Sequence, residues 1–313
     1  MERVWVVNNI AKAGTGSEKQ GSAGGGGVDL SGNATILLSN MIIADNRVEV
    51  PPSGVGGGGG IFVNGANVSM VHMTIARNQI SSSPMQGNGI VLINGSTATI
   101  SHSIVADHTQ YAGAFAIHAQ PGNAVTLDNN LFFGNNSNTG GGGAFPGSAS
   151  SFSGNPRFVS PGAPNYDYHL TNGSAAINKA ATSNMQLDID IQSRNESPSP
   201  DVGADEFAPF TALQSMVGDT VIVLNWQVDA ALLPGLARYQ VVVTPSAGAA
   251  VPAQGTSFSV GLNTSATLTN LTKYKMYTVV IEARNQTDGL LAKSSSIVSM
   301  PTDIFVFLPV IIK

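Results

Sequence analysis

The chain has 313 residues, a net charge of −5, no cysteine and only 11% charged residues, against roughly 25% in an ordinary globular protein. This balance excludes a basic surface that could follow a phosphate backbone, and it excludes disulfides, thiol catalysis and Cys-ligated zinc. No apolar run reaches the roughly 18 residues a membrane span needs, and no signal peptide precedes the first strand-like segment.

The first two thirds of the sequence repeats. Val4–Ala11, Ile36–Ile43, Val68–Ile75, Ala98–Val105 and Val125–Phe132 align without gaps, at offsets of 32, 32, 30 and 27 residues. Ile36, Val68, Ala98 and Val125 are apolar, and so are Leu38, Met70, Ile100 and Leu127 two positions on. A period of two marks a strand with one buried face. The next column holds Asn8, Asn40, His72, His102 and Asn129. These are read as a polar ladder at a bend, with His72 and His102 as ladder members rather than metal ligands. A shorter strand precedes each copy from Val28 on (Val28–Leu30, Ile61–Val63, Ile90–Leu92, Phe115–Ile117), through turns such as Asn64-Gly65 and Asn94-Gly95. A period near 30 residues means stacked parallel coils, a solenoid. The expected fold is all-β: a right-handed parallel β-helix. The glycine tracts Gly24–Gly27, Gly56–Gly60 and Gly140–Gly143 fall where a coil re-enters its first strand, and no Lys or helix follows them to make a phosphate loop. They predict crowded corners without room for a Cβ. Met1 stands just before the first copy, so the expectation is an N-terminally truncated solenoid.

Aligned residues stack, and this permits a search for chemistry. One column reads Asp45, Arg77, Asp107; the next reads Asn46, Asn78, His108, Asn135. The structural reading is an alternating-charge ladder beside a second Asn-rich ladder. The functional reading is a sugar-binding or sugar-cleaving strip, with Asp107 and His108 as acid and base and Arg77 on a uronate. Tyr111, Phe115, Phe132 and Phe133 are core aromatics, with sugar stacking as the alternative.

Residues 152–207 change character. They run Asn155-Pro156-Arg157-Phe158-Val159, Tyr166-Asp167-Tyr168-His169-Leu170, Gly173-Ser174-Ala175-Ala176-Ile177, Asp188-Ile189-Asp190, Arg194 and Asp201-Val202-Gly203-Ala204-Asp205-Glu206. This series resembles the terminal segment of bacterial β-helix proteins of the pectin-lyase-like group, of the choice-of-anchor Q type. The resemblance implies a cap closing the open end of the solenoid, and an extracellular or cell-surface location. Asp188, Asp190, Asp201 and Asp205, with Glu206, are candidate Ca²⁺ ligands; otherwise they pair with Arg194 or bond backbone.

From residue 209 to 302 the pattern resembles a fibronectin type III module. It has an early core tryptophan, Trp226, and a Leu271–Tyr277 spacing like a tyrosine corner. The apolar tail, 303–313, resembles short endings of some secreted bacterial proteins and implies export or surface retention. The function expected is non-catalytic adhesion or carbohydrate binding by a monomer, with no cofactor unless Ca²⁺. The alternatives are a polysaccharide lyase or glycosidase, and a structural stalk.

Overall fold

The computed structural model describes residues 1–13, 22–50, 55–81, 87–109, 114–180, 183–194 and 199–302. It divides into two units, Met1–Phe207 and Ala208–Lys313. Tyr111 and the tail 303–313 lie outside the described residues.

The first unit is a parallel β-solenoid. Thr35–Ala44 pairs in register with Asn67–Ala76, Ile36 opposite Val68 and Ile43 opposite Ile75. Thr97–Ser101 continues that stack between Asn67–Ala76 and Ala124–Asp128. Val28–Ser31, Ile61–Asn64, Gly87–Ile93 and Phe115–Ala119 form a second sheet, and Ile10–Lys12, Arg47–Glu49 and Gln79–Ile80 a third. Inward residues such as Leu38, Met70, Ile100, Leu127 and Ile61 close the core between them.

Two columns of left-handed residues make the bends. Asn40, His72, His102 and Asn129 have φ of 48–52°, and Asn8, Asp45, Arg77 and Asp107 have φ of 55–58°. The ladder expected at the first column is kept in part: His102 Nδ1 lies 3.1 Å from Asn129 Oδ1 on the next coil, whereas Asn40 and His72 find partners outside the column. Asn40 donates to Leu187 O, and His72 lies against Gly203 O and Ser183 Oγ, all on the 183–207 segment. A left-handed residue inverts the side-chain direction, and these side chains leave the core. Ser103 and Asn130, one position later, turn inward: Ser103 Oγ accepts from Met73 N, and Asn130 Oδ1 from Ser103 N.

The first copy is also corrected. Val4 pairs with Met41, not with Ile36, and Asn9 lies on Asn46, 37 residues on. Arg3, at φ 53°, takes the first bend column in this register.

Glycine corners follow from the inner ladder. A Cβ on Gly60 would lie 2.8 Å from Asn78 Nδ2, and one on Gly59 2.3 Å from Gln79 O. The ladder amide and the next coil's backbone occupy the space a side chain would need.

The segment after the last coil contradicts the expectation of an end cap. It lies along the flank. Phe152–Ser153 still pairs with Leu131–Phe133; then Phe158–Ser160 and Asp167–Leu170 form an antiparallel pair. Tyr168, Leu170, Ala176, Ile189, Val202 and Ala204 pack on Ile42, Ala44, Ala76, Ile104, Ala106 and Leu131, which point away from the solenoid core. The physical reason is apolar surface: those outward residues span successive coils, and burying each Ile or Leu contributes roughly 1.5–3 kcal/mol. Arg194 pins the segment and is fully buried. It donates to Asn40 Oδ1, to the carbonyls of Asp201, Gly203 and Ala204, and to Glu206 Oε2.

The second unit is a sandwich like that of a fibronectin type III module. Phe210–Val217, Ile222–Val228 and Ser265–Leu268 form one antiparallel sheet. Ser257–Ser259, Arg238–Pro245, Tyr277–Arg284 and Leu290–Lys293 form the other, with Ile297–Ser299 also on Tyr277–Arg284. Trp226 and Tyr239 meet edge-on across the sheets at 5.8 Å. Tyr277 is buried; its hydroxyl accepts from Thr272 N and donates to Ala250 O. Tyr277→Phe leaves both backbone groups without that partner and is expected to destabilise this unit by about 1–3 kcal/mol, read by urea unfolding followed at Trp226. An unchanged midpoint would refute the corner's role.

Candidate functional site

A groove is built from both the coils and the flank segment. Asn8, Asp45 and Arg77 rise from successive coils at the second bend. Ile10, Arg47 and Gln79 follow them from the third sheet, and Ala163 and Tyr166 form the opposite wall. The groove encloses about 280 Å³.

Its charges are arranged by stacking. Arg77 Nε donates to Asp45 Oδ1 at 2.9 Å, and the Tyr168 hydroxyl donates to Asp45 Oδ2. Both carboxylate oxygens are therefore engaged. Burial and the Asp45 hydrogen bond push the Tyr168 phenol far above its ordinary range, so it stays protonated as the donor. The Arg77 side chain remains 40% exposed at the groove, with its guanidinium against Gly162.

Asp107 continues the column but does not line the groove. It is half-buried, and that burial raises its carboxyl above the usual carboxylate range, offset in part by Arg77. His108 goes the other way. As the residue after a left-handed Asp107 it turns into the solenoid and is fully buried. Its Nδ1 lies 3.0 Å from Asn135 Oδ1 and its Nε2 3.5 Å from Asn78 Nδ2. Asp107 and His108 are thus not an acid–base pair on one strip: neighbours in sequence, they face opposite sides. His108 belongs to the inner ladder Asn9, Asn46, Asn78, His108, Asn135, in which the Oδ1 atoms of Asn46, Asn78 and Asn135 accept from the coil before. Burial lowers its pKa to about 4.

The candidate Ca²⁺ carboxylates separate. Asp188 accepts backbone N–H groups of Asp190, Gln192 and Glu206; Asp201 accepts those of Asn178 and Phe207. These two hold the flank segment's turns. Asp190 and Asp205 instead approach His169, and the ligand atoms of these three lie within 4.8 Å of one another. His72 and His102 stack at 5.4 Å; desolvation holds His72 well below the ordinary imidazole value. Of the aromatic candidates, Phe132 belongs to the solenoid core and Phe133 packs under the flank segment. Tyr166 was not singled out by sequence: its signal would have been an aromatic next to the Asp167–Leu170 strand, which no repeat column contains.

Residues 7–156 match the family model described as the right handed beta helix region. No curated protein matches the chain. Among solved structures, the solution structure of a fibronectin type III domain derived from the human KIAA0970 protein matches at 19% identity, over 33% of this chain and 80% of that one, with a TM-score of 0.25. No helix among the described residues is long and apolar enough to cross a membrane.

Proposed function

We propose that the right-handed β-helix is a non-catalytic carbohydrate-binding unit, holding a polysaccharide in the groove of Asn8, Arg77 and Tyr166, and that the second unit serves as a spacer. The observation that carries this reading is the state of Asp45. Its two oxygens are taken up by Arg77 and Tyr168, so the groove offers a cation, amides and an aromatic ring but no paired free carboxylates. Glycosidic cleavage needs two carboxyl groups in defined roles; binding needs only the donors and the ring. A location outside the cell or at its surface belongs to the same proposal, and rests on the resemblance of the flank segment to exported β-helix proteins.

One observation favours an enzyme instead. Asp107 stands two coils from Asp45, about 10 Å along the stack, and burial favours its protonated form. A glycan array and calorimetry on the full chain separate the two. Arg77→Ala and Tyr166→Ala are expected to weaken binding roughly 10- to 100-fold each, the worth of a charged hydrogen bond or its stacking equivalent. Unchanged affinity in both variants would discard the groove. Turnover of the bound glycan, lost in Asp107→Asn, would replace the binder with a hydrolase.

A further inference from the structure

The flank segment holds a cluster that the glycan groove does not use. His169, on Asp167–Leu170, has Nδ1 2.7 Å from Asp167 Oδ1 and Nε2 2.6 Å from Asp190 Oδ2. Asp205 joins His169 and Asp190, the ligand atoms of these three lying within 4.8 Å of one another. Asp205 is only 3% exposed. One of its oxygens accepts from Leu170 N at 2.6 Å.

Asp188, Asp201, Asp205 and Glu206 are all buried beside a single buried guanidinium, Arg194, and burial raises all four carboxyls above their ordinary range. Arg194 pairs with Glu206, not with Asp205. His169 acts on Asp205 electrostatically, and it is shared with Asp167 and Asp190.

We infer that His169 Nε2, Asp190 and Asp205 form a binding site for a divalent first-row transition metal of the Zn²⁺, Co²⁺ or Mn²⁺ type. One imidazole with two carboxylates suits these ions. Ca²⁺ takes six to eight oxygens and no imidazole. Asp167 then holds the Nδ1 hydrogen, the carboxylate–histidine arrangement that orients a ligating ring and raises its basicity. The metal replaces the proton between Nε2 and Asp190, and that proton is released to solvent, together with any held by Asp205, whose carboxyl burial raises well above its ordinary range. Side chains of His169 and Asp190 are about one third exposed, which gives the ion an entry path and leaves coordination positions for water.

Trp5 supplies the readout. Its ring centroid lies 5.5 Å from that of His169, and the other tryptophan, Trp226, belongs to the second unit. The full chain carrying Trp226→Phe is titrated with Co²⁺ while Trp5 fluorescence is followed, and with Zn²⁺ while melting of the first unit is followed. Saturable quenching and a raised melting temperature are expected at micromolar metal. Asp190→Asn, at a partly exposed position, and His169→Gln are each expected to weaken binding at least tenfold with the circular dichroism unchanged. If His169→Gln does not fold, Asp190→Asn alone decides. No quenching and no melting shift up to millimolar metal would overturn the site, as would Asp190→Asn retaining the parent affinity. A melting shift with Ca²⁺ that Asp190→Asn abolishes would overturn the metal class.

Discussion

Replacing Arg194 by Met is expected to destabilise the first unit by about 3–5 kcal/mol, the usual cost of removing one partner from a buried charge network. For a unit of this size the melting temperature falls by roughly 10 °C or more. The loss has named parts. Asn40 Oδ1 and the carbonyls of Asp201, Gly203 and Ala204 each lose a donor, and Glu206 loses its counter-charge. Glu206 already titrates high, at about 8, pushed there by burial and by the neighbouring Asp201. Arg194→Lys recovers only part of the loss, because an ammonium cannot span five acceptors as the planar fork does. Hydrogen exchange locates the effect: residues 183–207 and the outward side of 41–44 and 73–76 exchange faster, while Tyr277–Arg284 in the second unit does not. A melting temperature within 2 °C of the parent would refute the anchoring role of this side chain.

The second large effect is pH-dependent. In the neutral His108 ring, Nδ1–H donates to Asn135 Oδ1 and Nε2 accepts from Asn78 Nδ2, a tautomer set by the network. Protonation would put a second donor against the Asn78 amide, inside the buried ladder. The folded pKa is therefore about 4, below the ordinary value of about 6.5. The unfolded chain takes up the proton first as pH falls. The stabilisation from neutral burial is complete above pH 6.5 and lost progressively down to pH 4, in total about 3 kcal/mol. His72, also held low by burial, acts in the same direction. His108→Asn restores the residue the ladder uses at Asn46, Asn78 and Asn135. It is expected to leave stability at pH 7 nearly unchanged and to flatten the acid slope by about 3 kcal/mol. Urea unfolding at pH 7, 5.5 and 4.5 measures this, and an identical slope in parent and variant would refute it.

Much of the solenoid was legible because its physics is local. Ile36, Val68, Ala98 and Val125 recur at fixed offsets, and their inward parity demands a strand with one buried face. Asn46, Asn78, His108 and Asn135 were visible as a ladder for the same reason, although His108 first suggested surface chemistry. The register of the first copy was not legible from apolar pattern alone. Met41, Ile42, Ile43 and Ala44 are apolar at both parities, so a five-residue slip of Val4–Val7 leaves a plausible match. Aligning Asn8-Asn9 with Asp45-Asn46 would have fixed it. The same run held the other missed signal. A strand apolar on both faces is covered on both faces, and Met41–Ala44 and Ile104–Ala106 announced a layer outside the solenoid. The flank segment resembles an end cap in sequence, and nothing local in it points to the residues it covers, some of which lie more than 150 positions earlier. The groove depends on that placement too: Asp45 and Arg77 were found by stacking, but Tyr166 and Tyr168 reach them only across the flank.

The position of that layer changes how the first unit comes apart. A stack of coils is a one-dimensional chain of nearest-neighbour contacts, free to fray one coil at a time. Here the flank segment touches Ile42, Ala76, Ile104 and Leu131 on four successive coils, and Arg194 ties it to Asn40. It acts as a splint laid across the grain: no coil beneath it can open without lifting the same strip from its neighbours, so the stack gives way as a whole.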